Sequence, residues 1–328
     1  MSHSILMPQN HQPGETPVDV SESPSTARPS GRREAISRAH HDLVTITKAR
    51  LSMLVVVTTL CGYLAATEAG LAEFRVMTLV HLLIGTILAA FGSAVFNQLM
   101  EVDADAKMVR TADRPLPTKR IPVGVAFVLG WLLAAFGIIH LAMKVNVMAS
   151  ALAAATLLSY LFVYTPMKRR SSWNTVVGAV SGALPPLIGW AGGNGTLLSW
   201  GSAFLFLLLF FWQLPHFVAI NWMYREEYER GGFVMWSNHD VSGARTARLA
   251  LGFSLCTLFL PILPVVTGVV SVWFLIPGVL TGLVMTWLAY RFFKSRQRPD
   301  ARTLFFYTLL YLPLLLTAAL LAWRSSGN

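Results

Sequence analysis

Asn97, Glu101 and Asp105 recur every four residues in NQLMEVDADAKMVRTADRPLP, where a long apolar run gives way to a basic loop. Four residues is close to one helical turn, so the three oxygen-bearing side chains share one helix face. Hard oxygen ligands grouped in this way suit Mg²⁺. Lys107, Arg110 and Arg114 follow within a few residues and suit phosphate oxygens. A metal and cations at the mouth of a membrane span point to a lipid diphosphate as the ligand. Asp103 lies between Glu101 and Asp105 and points away from their face, which makes it a secondary candidate.

Two further stretches carry polar groups in an apolar setting. YTPMKRRSSWN holds three consecutive cations, Lys168, Arg169 and Arg170. They are either a topology anchor or, with the acidic cluster on the same membrane side, a diphosphate clamp. Tyr164 ends a span there and faces a cavity or anchors at the interface. FFWQLPHFVAINW packs aromatics around Gln213 and His216. Polar groups in a membrane helix usually face the bundle interior. His216 therefore contacts a bound tetrapyrrole, relays a proton, or hydrogen-bonds between helices. Aromatic faces stabilise cations, a carbocation included, and serve equally as lipid-facing bulk. Glu226, Glu227 and Glu229 form a second acidic group without regular spacing, and Glu229 reads as a solvated charge. His81 and His140 fall toward the far ends of their spans and read as structural.

The elements that must position these residues are membrane helices. Of 328 residues 54% are apolar and 13% charged, and the apolar residues gather in runs of membrane-crossing length. The pattern predicts nine spans, near 51–67, 77–100, 121–142, 145–165, 173–192, 198–222, 246–268, 270–292 and 303–323. The fifth, VVGAVSGALPPLIGWAGG, carries Gly and Pro that fit close helix packing or a broken helix. With these spans, 23 of the 26 Lys and Arg fall on one membrane side, which places the N-terminus in the cytoplasm and the C-terminus outside. The net charge of +10 is therefore sided and needs no nucleic acid; anionic headgroups and phosphates explain it. Residues 1–40 are polar and Pro/Ser-rich, an expected disordered tail ahead of a 41–328 membrane domain. That tail has neither the apolar core of a secretory signal nor the acid-poor composition of a transit peptide. Cys61 and Cys256 lie in apolar spans and imply no disulfide framework or metal site.

Four stretches carry a resemblance: TKARLSMLVVVTT, NQLMEVDADAKMVRTADRPLP, YTPMKRRSSWNTVVGAVSGALPPLIGW and WQLPHFVAINWMYREEYERGGFVM. Together they resemble the UbiA-type intramembrane prenyltransferases over roughly residues 45–240. RTADRPLP, PPLIGW and WQLPHF narrow the resemblance to the heme-directed branch. It implies an all-α, polytopic bundle of nine transmembrane helices around a central cavity in a bacterial inner membrane. It also implies Mg²⁺, with farnesyl diphosphate and heme b as substrates and heme O as product. By the resemblance, Asn97, Glu101 and Asp105 match the first metal–diphosphate motif, and Glu227 takes the acidic, metal-facing position of the second. Lys107, Arg110, Lys168 and Arg169 match the basic positions near diphosphate, while Tyr164, Gln213 and His216 are the candidates on the heme side. Membrane lipids surround the enzyme, and heme A synthase or terminal oxidase assembly proteins are the expected recipients of its product. Gln98 and Glu101 depart from quinone-directed relatives, many of which carry Asp there, and the second motif lacks a clear Asp pair.

Two other readings compete. One is a prenyltransferase of the same superfamily acting on a quinone precursor or chlorin. The other is a lipid-phosphate transporter, whose polar site would more often lie near the bilayer midplane, between matching broken segments.

Overall fold

The computed structural model of the protein describes residues 30–324. Residues 1–29 of the expected tail lie outside the described residues. The remainder of that tail is not irregular: Ser30–Ile46 is an α-helix. It is rich in good helix formers, and Glu34 and Arg38 approach to 3.6 Å at the favourable i, i+4 spacing. The chain divides into one unit through Ala39 and a second from His40 onward.

In the second unit, nine helices among the described residues are long and apolar enough to cross a membrane. They are Ala49–Glu68, Val76–Asp105, Val123–Lys144, Val147–Met167, Asn174–Gly192, Trp200–Met223, Ala244–Val266, Val272–Ser295 and Arg298–Ala322, each within a few residues of its expected span. The second span runs unbroken to Asp105, so Asn97, Glu101 and Asp105 do continue one helix face.

Small residues let these helices approach closely, the usual device where lipid removes the hydrophobic drive for helix association. A Cβ on Gly92 of the second span would sit 2.6 Å from the backbone nitrogen of Ala134 in the third. The fifth span is broken, as its composition allows: one helix runs Asn174–Gly182 and another starts at Pro185. The carbonyl of Pro185 at the break accepts the Thr59 hydroxyl of the first span at 3.1 Å. The fourth span contains a π-helical turn, Ser159–Tyr164, an irregularity common near functional sites.

The sixth span ends at Met223, close to its expected end. Tyr224 takes φ −116° and ψ 22°, and a separate short helix, Arg225–Arg230, follows. The EEYE segment therefore lies in a helix of its own.

Five apolar clusters are buried among the described residues, and the two most extensive tie the bundle together. The larger joins Phe204 of the sixth span to Phe274, Phe292 and Tyr311 of the last two, all fully buried. The smaller joins Tyr63, Leu82, Leu141 and Ile188 from spans one, two, three and five. A cavity of about 500 Å³ is ringed by residues of spans one, two, four, five, six and nine. Residues of the third, seventh and eighth do not line it.

Candidate active site

The helical register of Asn97, Glu101 and Asp105 delivers all three to one buried place. None is more than 6% exposed. Asn97 Nδ2 donates to Glu101 Oε2 at 2.9 Å. Lys168 Nζ donates to Glu101 Oε1 at 2.7 Å and to Asn97 Oδ1 at 3.2 Å. Arg114 Nη1 donates to Asp105 Oδ2 at 2.6 Å. Asp103, two residues from both Glu101 and Asp105, is exposed.

Two loops close over this cluster. Thr111 Oγ1 donates to the Asp105 carbonyl at 2.9 Å, which folds the RTADRPLP loop back onto the helix end and delivers Arg114. The GGFVM segment after the sixth span is held from below. Val234 N–H donates to the Lys168 carbonyl at 2.7 Å, and Asn174 Nδ2 donates to the Val234 carbonyl at 2.7 Å. Phe233 and Met235 then pack on Ala104 and Met108. The result is a small polar pocket of about 150 Å³ with Glu101, Asp105, Arg110, Arg114 and Lys168 in its wall.

The π-helical turn shapes the other side. It brings Tyr164 and Tyr160 over the Lys168 ammonium, at 4.4 and 5.6 Å from the ring centroids. Burial opposes the charge of Lys168, but Tyr164, the Glu101 carboxylate and Tyr160 overcome it and hold its pKa above the ordinary lysine value. Gly178 makes room for the Tyr164 ring: a Cβ there would lie 2.6 Å from Tyr164 Cε2. Tyr164 and Phe217 wall both the polar pocket and the large cavity.

Gln213 and His216 both line the large cavity. Gln213 Nε2 donates to the carbonyls of Ala179 and Leu209 at 3.0 and 2.9 Å, so it ties the fifth span to the sixth. The His216 ring stacks between Trp212 and Phe305, with centroids 5.5 and 4.8 Å away. Its Nδ1 lies 2.7 Å from Thr308 Oγ1, whose own hydrogen is donated to the Phe305 carbonyl at 2.6 Å. Nδ1 is therefore the donor of the pair, and the lone pair sits on Nε2.

The structure does not gather every candidate. Lys107 and Arg169 are exposed and line neither pocket, because each directly follows or nearly follows a residue whose side chain takes the inward direction. Glu227 is half-buried and accepts the backbone N–H of Arg110 at 3.2 Å, bracing the loop beside the polar pocket without lining it. Its neighbour Tyr228 lines the pocket instead. His81 and His140 meet each other at 3.2 Å, far along their spans from this cluster, in keeping with a structural pairing.

Three contributors were not singled out from the sequence. Asn174 and Asn221 are both buried in the wall of the polar pocket, and Asn221 Nδ2 has no hydrogen-bond partner among the described residues. The sole sequence signal for Asn221 is an amide inside an aromatic run. Lys48, at the start of the first span, lines the large cavity, and burial pulls its pKa down to about 8.

The donor set fits Mg²⁺. Two carboxylates, Glu101 and Asp105, line the pocket as hard ligands, and Asp105 Oδ1 makes no hydrogen bond among the described residues; Asn97 lies behind them outside the pocket wall, its Oδ1 accepting from Lys168 and Thr165. The cations paired with them are placed to exchange a carboxylate for a phosphate oxygen.

Residues 55–322 match the UbiA prenyltransferase family. The chain is 43% identical over 278 residues to the protoheme IX farnesyltransferase of Opitutus terrae, covering 84% of this chain and 92% of that protein. It is 40% identical over 283 residues to the mitochondrial protoheme IX farnesyltransferase of Arabidopsis thaliana, covering 86% of this chain and 65% of that one. Among solved structures, digeranylgeranylglyceryl phosphate synthase superposes with a TM-score of 0.70 at 14% identity, over 86% of this chain and 97% of the other. A UbiA homolog from Archaeoglobus fulgidus bound to GPP and Mg²⁺ gives 0.59 at 14% identity, over 85% and 99%. At these identities the structural likeness speaks for the fold.

Proposed function

The chain belongs to the UbiA prenyltransferase family, and from that premise we propose that it transfers the farnesyl group of farnesyl diphosphate to a vinyl group of heme b, giving heme O. The observation that carries this reading is the pairing of two unlike pockets across one wall. A small pocket rich in carboxylates and cations adjoins a mostly apolar cavity of about 500 Å³, a size within the usual range for organic ligands. The close identity to protoheme IX farnesyltransferases supports the acceptor.

The diphosphate sits in the small pocket. Lys168, Arg114 and Arg110 take its oxygens, Lys168 and Arg114 releasing the carboxylates they now hold. Glu101 and Asp105, with Asn97 hydrogen-bonded behind Glu101, would hold Mg²⁺, which would supply the charge neutralisation that makes a diphosphate a better leaving group. A GPP- and Mg²⁺-bound neighbour of the same fold supports this. The cations stabilise the charge that develops on the leaving oxygen as the carbon–oxygen bond breaks. The allylic cation left behind faces the Tyr164 and Tyr160 rings and apolar walls that limit capture by water.

The tetrapyrrole occupies the large cavity. His216 offers it the Nε2 lone pair, with Nδ1–H committed to Thr308, the arrangement found for histidines that ligate iron. The vinyl terminal carbon forms the new bond to farnesyl carbon 1. Water then adds to the other vinyl carbon and releases a proton, leaving a hydroxyethylfarnesyl group and free diphosphate. The sided basic residues support a cytoplasmic N-terminus in a bacterial inner membrane. Heme A synthase or oxidase assembly proteins are the natural recipients of the product.

The test uses protein purified in detergent and supplied with heme b, farnesyl diphosphate and Mg²⁺. Products resolved by mass should show heme b gaining one farnesyl group and one hydroxyl. Diphosphate release with heme b unchanged, and a prenylated quinone precursor formed instead, would move the protein to the quinone-directed branch.

A further inference from the structure

Lys48 stands where the helix Ser30–Ile46 gives way to the first span, and its backbone is left-handed, with φ 47° and ψ 43°. A residue with a side chain rarely adopts that conformation unless its surroundings hold it there. They do. Gln98 Nε2 on the second span donates to the carbonyls of Thr45 and Ile46, both at 2.8 Å. Ser52 Oγ donates to the Thr47 carbonyl at 3.1 Å, and Thr47 Oγ1 to the Leu43 carbonyl at 2.7 Å. Gln98 is fully buried, and pinning this corner is what its amide does. The residue type matters here: an amide can donate to two carbonyls, and a carboxylate cannot.

The corner presents the Lys48 side chain to the large cavity. Among the described residues it is the one Lys or Arg in that wall, and no carboxylate joins it there. Among the described residues it has no ion pair within 4.0 Å, whereas Lys168 and Arg114 in the neighbouring pocket each have one. An ammonium placed without a counter-charge in a mostly apolar wall is unfavourable unless a bound anion completes it. Its field reaches Glu101 and Asp105, so it lies toward the polar end of the cavity.

Two anionic groups enter the site under the proposed function. The diphosphate already has Lys168, Arg114 and Arg110 in the small pocket, which Lys48 does not line. The tetrapyrrole brings two carboxylates on one edge of a flat apolar disc, and the cavity that holds the disc holds Lys48. We propose that Lys48 binds a carboxylate of the tetrapyrrole acceptor, sets which edge of the ring faces the polar end, and makes the site select acceptors with free carboxylates. This rests on the heme reading above.

The test compares heme b with its dimethyl ester, in which both carboxylates are masked. Binding is followed by heme absorbance in wild type, Lys48→Met and Lys48→Arg, and the KM for farnesyl diphosphate is measured in parallel. Wild type and Lys48→Arg should prefer heme b over the ester by about tenfold or more, a charge-assisted bond's worth of selectivity. Lys48→Met should bind both equally, at the level of the ester, with the farnesyl diphosphate KM within about twofold of wild type, which also shows the variant to be folded. Undiminished preference in Lys48→Met overturns the inference alone. So does a KM for farnesyl diphosphate raised by about tenfold with the heme preference intact, which would assign Lys48 to the diphosphate. Failure of wild type to bind heme b at all overturns the heme reading and this inference with it.

Discussion

The polar pocket and the large cavity meet at Tyr164 and Phe217, yet they are built on opposite terms. In the polar pocket the buried carboxylates of Glu101 and Asp105 each face a cation, Lys168 or Arg114. In the cavity the polar side chains are mostly turned back on the protein: Thr58 and Thr156 bond carbonyls of their own helices, and Gln213 bonds two carbonyls. Among the described residues, Thr86 Oγ1 has no hydrogen-bond partner and Lys48 has no ion pair within 4.0 Å. The difference separates two tasks. One region is prepared to trade partners with a charged ligand, and the other is shaped around an apolar one and leaves few polar groups free to direct it. Disturbing the first should therefore abolish turnover, and disturbing the second should shift binding of one substrate.

The largest effect expected is from metal removal. A strong chelator should abolish farnesyl transfer, and Mg²⁺ added back should restore it; full turnover in chelator would detach the carboxylates from metal binding. Glu101→Gln and Asp105→Asn come next, with kcat lowered by about 10³-fold, corresponding to several kcal/mol of lost charge stabilisation. The amides keep the shape of the site, so heme binding by absorbance should hardly change; equal damage to heme binding would erase the division between the pockets. Lys168→Met should lower kcat by about 10²-fold. It also leaves Glu101 buried without its cation, a penalty of about 3–5 kcal/mol that a thermal melt will register.

Smaller effects probe the cavity and the shared wall. Gly178→Val adds a branched side chain where a Cβ already meets the Tyr164 ring at 2.6 Å. It should weaken both substrates by several-fold, since Tyr164 walls both pockets; an effect on one substrate alone would show that the wall is not shared in function. His216→Ala should weaken heme binding by about tenfold and leave the farnesyl diphosphate KM near normal. Asp103→Asn, Lys107→Ala and Arg169→Ala should each stay within about twofold of wild-type turnover, because all three residues are exposed outside the pockets. A large loss in any of them would show that the polar site extends beyond its present wall.

What the chain alone determined follows from properties that depend on near neighbours. Span length and apolarity located nine helices, and the four-residue register put Asn97, Glu101 and Asp105 on one face while excluding Asp103. Gly and Pro in the fifth span fitted close packing or a break, and the helix is broken there. The TKARLS and RTADRPLP motifs even contained Lys48 and Arg114, without indicating that one would stay unpaired and the other would hold Asp105. Those outcomes depend on residues far apart in sequence: Lys168 reaches Glu101 from 67 positions away, and Gln98 braces a corner 52 and 53 positions earlier. That Glu227 accepts the Arg110 N–H from 117 positions away and does not line the pocket likewise has no signature in local propensity. Spacing along a helix is set by backbone geometry that every residue shares. Which cation meets which carboxylate, and which six spans surround the cavity, is set by how the helices pack, and only the assembled bundle decides that.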